Sequence, residues 1–171
     1  AKKEYLLFTD ADCYPTSKDW ITAMSSQFTM HKTIVLGYGG YEKMANSFLN
    51  KIIRFETVLT AIQYFSWAKL GHPYMGVGRN MAYKKEEFFN VNGFIEHIQV
   101  RSGDDDLFIN QAANSSNTTV CYLQESFTYS KPKTSLLLLF LLFLGFVNVE
   151  GQEIKSVKIT DIEKIIAESK T

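Results

Sequence analysis

The sequence predicts an α/β fold, on three observations. Residues 5–9 and 33–36 are short apolar or β-branched runs with the length and composition of buried strands. Residues 43–70 repeat apolar side chains (Met44, Phe48, Ile52, Phe55, Leu59 and Ile62) every three or four positions, as an amphipathic helix does. Glycine and proline fall between these segments and not inside them.

Each element follows in order. Residues 5–9 read as a buried strand. Ser17 or Asp19 can cap a helix that carries Trp20, Ile21, Met24 and Phe28 on one side. The strand at 33–36 breaks into a loop at Gly37, Gly39 and Gly40. The helix of 43–70 could lie on a membrane surface, but packing against its own domain is the expected use of its apolar stripe. Gly71-His72-Pro73 ends it, Gly76 and Gly78 make a loop, and residues 81–83 form a short strand. Residues 84–89 are a short helix closed by Asn92-Gly93, residue types that accept the left-handed C-terminal turn. A helix over 104–113 begins with acidic residues at its positive end. Residues 119–123 and 126–129 alternate as strands, and Lys131-Pro132-Lys133 breaks the pattern.

Composition narrows the function classes. A chain of 171 residues is long enough for one core. Its 46% hydrophobic content marks it as globular rather than disordered. Lys+Arg and Asp+Glu are both 18, so it lacks the basic excess of a nucleic-acid partner. The two cysteines, Cys13 and Cys121, have no zinc-type spacing and are expected to be buried free thiols in a reducing compartment.

The chemistry-bearing residues are acidic. Asp10-Ala11-Asp12 follows the first strand directly. In extended backbone, alternate side chains share a face, so both carboxylates can point the same way. Such oxygens suit a hard divalent cation, and Mg²⁺ typically shares them with substrate phosphates. A turn-forming Asp pair is the bland alternative. A second cluster, Asp104-Asp105-Asp106, lies far downstream, and a capped, solvated helix start is its bland reading.

Four patterns then occur in one order. Tyr5-Leu6-Leu7-Phe8-Thr9-Asp10-Ala11-Asp12-Cys13 is a strand plus diacid, and Trp20-Ile21 opens the next helix. Gly76-Val77-Gly78-Arg79-Asn80-Met81-Ala82-Tyr83 leads through Phe88-Phe89 into Asn92-Gly93-Phe94. Ser102-Gly103-Asp104-Asp105-Asp106-Leu107-Phe108 completes the set. Over residues 4–130 the chain resembles the second half of the catalytic domain of family 2 glycosyltransferases, inverting enzymes with a GT-A fold.

The resemblance implies a partial GT-A fold, a mixed sheet flanked by helices. It implies transfer of a sugar from a nucleotide-diphosphate-sugar donor to a hydroxyl of a glycan or lipid-linked acceptor, for cell-envelope polysaccharide. It implies a DXD motif in which Asp10 and Asp12 bind Mg²⁺ or Mn²⁺, with Asp10 also at the donor. Asp104 is the implied general base and Asp105 the runner-up. Gly76, Gly78, Arg79, Asn80 and Asp106 are implied to line the donor and acceptor. Membrane association at the cytoplasmic face of the inner membrane is also implied. Gly103 stands where the family's first acidic position falls. The enzyme alternative is a metal-dependent nucleotidyl- or phosphotransferase using the same diacid. The non-enzyme alternative is an inactive membrane-associated remnant.

Two departures shape the expected organisation. The chain as read starts almost on the diacid strand, so the expectation is that the nucleotide-base-binding half is missing and that turnover is little or none. Residues 136–147 are an almost unbroken apolar run, about 12 residues or roughly 18 Å as a helix, short of the ~20 that span a bilayer. That length suits a signal-peptide apolar core. The tail resembles a secretory leader running into an unrelated exported protein of thioredoxin-like type. The expected division is a partial transferase domain over 1–134 and an apolar helix with a polar tail over 135–171, foreign to that domain.

Overall fold

The computed structural model describes residues 2–95 and 103–132. All of them belong to the unit Ala1–Lys133; the second unit, Thr134–Thr171, and with it the apolar helix and polar tail expected there, lies outside the described residues.

The element order is β1 (Tyr5–Phe8), β2 (Cys13–Pro15), α1 (Trp20–Ser25), β3 (Ile34–Leu36), β4 (Gly39–Tyr41), α2 (Phe48–Lys69), β5 (Met81–Lys84), α3 (Lys85–Asn90), α4 (Asp104–Ala112), β6 (Thr118–Val120) and β7 (Thr128–Ser130), with a 3₁₀ turn at Gln124–Ser126. Two sheets form. The larger runs β1-β5-β3-β6 and the smaller β2-β7-β4. Both are mixed: β5 is antiparallel to β1 and β3, β3 is parallel to β6, β7 is antiparallel to β2 and parallel to β4.

The larger sheet sorts its side chains by the two-residue period of a strand. Ile34, Leu36, Met81, Tyr83 and Val120 face a core shared with Ala61, Tyr64 and Ala68 of α2 and Phe108, Ile109 and Ala112 of α4. Val35 and Ala82 face the other way, onto Met24 of α1 and Cys121, with Trp20 and Phe28 packed around them. The chain therefore stacks α1 on one side of the sheet and α2 with α4 on the other.

Several expectations need correction. β1 is a half-buried edge strand, not a buried one, because only β5 pairs with it; Tyr5 is 46% exposed. Gly39 and Gly40 are in strand β4 rather than a loop. A Cβ on Gly39 would lie 2.9 Å from the Arg79 Cβ, so a glycine strand is what lets the 79–80 segment approach. Asp19 is the N-cap of α1 but its side chain makes no cap bond, and Ile21 is solvent-exposed. α2 begins at Phe48, where the Ser47 side chain accepts from the Asn50 amide. It ends where expected, with Gly71 at φ +89° and the His72 amide donating to the Trp67 carbonyl at 2.9 Å.

Candidate functional site

β1 of the larger sheet passes to β2 of the smaller through a tight turn. The Cys13 amide donates to the Asp10 carbonyl at 3.0 Å, the i to i+3 bond of a β-turn. That turn, rather than extended backbone, brings the two carboxylates together. One ligand atom from each of Asp10, Asp12 and Cys13 lies within 4.8 Å of the others. Turn formation and carboxylate convergence are thus the same feature.

Asp10 and Asp12 are exposed and Cys13 is half-buried, where a fully buried thiol was expected. Partial burial and the Asp12 charge push the Asp10 carboxyl up, and Arg79 offsets part of this. Burial, with Asp10 and Asp12 beside it, pushes the Cys13 thiol up as well. Two hard oxygens available to one cation fit Mg²⁺ or Mn²⁺.

The second acidic cluster forms the first turn of α4, after Gly103 at φ +84°. Its three carboxylates do different things. Asp104 is exposed. Asp105 accepts from the Gly78 amide at 2.6 Å through Oδ2 and from the Asp106 amide at 3.1 Å through Oδ1. Asp106 lies near the Gly76 backbone, which holds its pKa down a little, while its Oδ1 is buried with no hydrogen-bond partner among the described residues. Burial and the Asp105 charge push Asp106 up to about 6. The charges of Asp105 and Asp104 also act on Asp10 and raise it. The two acidic clusters therefore lie close enough to interact electrostatically.

The segment 76–80 joins these parts. Gly78 is fastened to α4 by the Asp105 carboxylate, and both glycines sit where a side chain would crowd α4 or β3. A Cβ on Gly76 would meet Ile109 Cγ1 at 3.0 Å and Leu36 Cδ2 at 3.1 Å. A Cβ on Gly78 would meet Asp105 Oδ2 at 3.2 Å. Arg79 lays its guanidinium over the Tyr41 ring, 4.8 Å from the centroid. Its Nη1 is buried and unpartnered among the described residues, and its charge acts on both Asp10 and Cys13.

Asn80 braces the interior. It is fully buried; its amide donates to the carbonyls of Tyr38 (2.9 Å) and Ser126 (2.6 Å), and its Oδ1 accepts from the Trp20 indole at 3.1 Å. Asn80 thus ties α1 to the loops flanking β4 and β7.

Sequence reasoning missed Cys13 as a member of the diacid cluster and Tyr41 as the platform for Arg79. Adjacency to Asp12 could have flagged the first; nothing local flags the second, because Tyr41 and Arg79 meet only in the fold. Tyr74 lies near Asp106, whose charge pushes its hydroxyl up after burial does.

No family model matches this sequence. No curated protein matches it either. Among solved structures, the chain is similar to the mannosyltransferase PcManGT from Pyrobaculum calidifontis, determined in complex with GDP-Man and Mn²⁺. The TM-score is 0.53 at 15% sequence identity, covering 90% of this chain and 42% of that one. The likeness is one of fold: the mixed sheets and flanking helices are a glycosyltransferase-like arrangement. The chain spans less than half the length of that protein.

Proposed function

We propose that the chain is part of a family 2 glycosyltransferase with the GT-A fold. It would transfer a sugar from a nucleotide-diphosphate donor to a hydroxyl of a glycan or lipid-linked acceptor, with inversion, at the cytoplasmic face of a membrane. One observation carries this reading: the Asp10–Asp12 pair converges within reach of one cation, and Asp10 feels the charges of Asp105 and Asp104 at the start of α4 and of Arg79. An inverting displacement needs such a division, because the leaving diphosphate and the attacking hydroxyl sit on opposite faces of the sugar.

Asp10 and Asp12 would hold Mg²⁺ or Mn²⁺ against the donor diphosphate. A cation bound there would neutralise the charge that develops on the leaving nucleotide diphosphate. Arg79 adds a fixed positive charge on the same side. Asp104 is assigned the acceptor proton because it is exposed, whereas both oxygens of Asp105 already accept backbone amides. Asp105 places the 76–78 loop. That arrangement weighs against the nucleotidyl- or phosphotransferase reading. A glycine loop cradles phosphate with free amides, and that of Gly78 is donated to the Asp105 carboxylate.

The test is calorimetric titration of nucleoside diphosphates and nucleotide sugars, with and without Mn²⁺. The expected result is Mn²⁺-dependent binding that falls at least tenfold in Asp12→Ala. No binding with any divalent metal would favour an inactive remnant. Where transfer is measurable, Asp104→Asn should lower turnover by about 10²–10⁴-fold and leave donor binding intact. The reverse outcome, loss in Asp105→Asn alone, would move the base by one residue.

A further inference from the structure

The regular apolar stripe of α2 faces away from the core of the described residues. The side of α2 that enters the core carries Asn50, Ile53, Ala61, Tyr64 and Ala68. At 3.6 residues per turn, Phe48, Ile52, Phe55, Leu59 and Ile62 fall half a turn from those positions. They are 75%, 38%, 69%, 43% and 57% exposed, and Leu70 continues the stripe at 71%. The expected packing of this stripe against its own domain is therefore corrected. Contiguous exposed apolar surface of this extent marks an interaction site.

The charges around the stripe select its partner. α2 carries Lys51, Arg54 and Lys69 against a single acid, Glu56. Lys51 and Lys69 lie on one flank of the stripe, the Lys69 ammonium over the exposed Tyr122 ring at 5.5 Å from its centroid, so both charges border the apolar surface. Trp67, half-exposed, lies on the other flank, the position an amphipathic aromatic takes at a lipid–water boundary. The stripe is a convex helix face of 22 residues, about 33 Å long. No helix among the described residues is long and apolar enough to cross a membrane, so α2 can lie along one but not through it. An antiparallel second copy would set the lysine flank against its own counterpart.

We propose that α2 docks lengthwise on an anionic lipid surface, burying Phe48, Ile52, Phe55, Leu59 and Ile62 among acyl chains with Lys51 and Lys69 at the headgroups. The proposal deepens the membrane association given above by naming the surface that makes it. Its test is independent of metal and donor binding, which are read separately by calorimetry.

The experiment uses the full chain with vesicles of phosphatidylcholine, neutral or with about a third phosphatidylglycerol, carrying brominated acyl chains. The readout is Trp67 emission, isolated by comparison with Trp67→Phe, which retains Trp20. We expect a blue shift and quenching of the Trp67 signal on anionic vesicles. Phe55→Glu/Ile62→Glu should abolish it with far-ultraviolet dichroism unchanged. Lys51→Glu/Lys69→Glu should weaken anionic binding about tenfold or more. Vesicle binding with Trp67 unquenched would overturn the proposal by placing the contact elsewhere. A lipid-independent, concentration-dependent dimer lost in the same double glutamate variant would overturn it in favour of a second copy.

Discussion

Asp106 is a carboxyl with one oxygen buried and unpartnered among the described residues, an arrangement that favours the protonated acid. Its pKa is raised from 3.8 to about 6, first by burial and then by Asp105. The protonated form is favoured by folding, so its stabilisation is full below about pH 4 and is lost as pH rises through about 6. Partial exposure reduces the nominal effect to about 1 kcal/mol. We expect the thermal midpoint of the native chain to fall by a few degrees across that window relative to Asp106→Asn, which should lack the drop; scanning calorimetry at several pH values reads it. Asn80 gives the opposite kind of test. Asn80→Ala would orphan the carbonyls of Tyr38 and Ser126 and the Trp20 indole, costing about 3 kcal/mol by urea unfolding. A change within ~0.5 kcal/mol would mean that Asn80 does not brace these segments.

At the scale of the element, α2 shows how a correct period can conceal the wrong face. The spacing of Phe48, Ile52, Phe55, Leu59 and Ile62 identified a helix, and the helix is there. The buried face was illegible because part of it is polar. Asn50 is buried with its amide donated to the Glu42 carbonyl (2.9 Å) and its Oδ1 accepting from the Met44 amide (2.8 Å). Tyr64 is buried with its hydroxyl donated to the Gly37 carbonyl at 2.7 Å. Those partners come from the segment before the helix, which no periodicity within it reports. Ile53→Ala should therefore cost about 2–4 kcal/mol, while Phe55→Ala should stay within about 0.5 kcal/mol; denaturant midpoints compare them. The clamp between α4 and the glycine loop belongs to this scale too. Asp105→Asn replaces a charge-assisted bond to the Gly78 amide, and exchange of that amide should quicken about tenfold.

For the whole molecule, the described residues all belong to the unit Ala1–Lys133. We expect removal of 136–171 to leave amide protection of β1 and β5 unchanged, and a loss of protection there would tie the tail into the domain. The sequence by itself determined the α/β class, the order of its acidic motifs, the long helix and its glycine stop, and the left-handed Asn92-Gly93 closure, because each rests on neighbours in the chain. Only the tertiary structure decided that β1 is an edge, that Gly39-Gly40 is a strand, that Asn80 braces the interior and that the α2 stripe faces outward. It also decided the company of the diacid: the turn from Asp10 to Cys13 is local, but Arg79, Tyr41 and the α4 carboxylates reach it from other elements. The physical reason is common to all of these. Backbone preference and periodicity act over a few residues, whereas burial, pairing and electrostatic coupling depend on which distant segments the fold sets side by side.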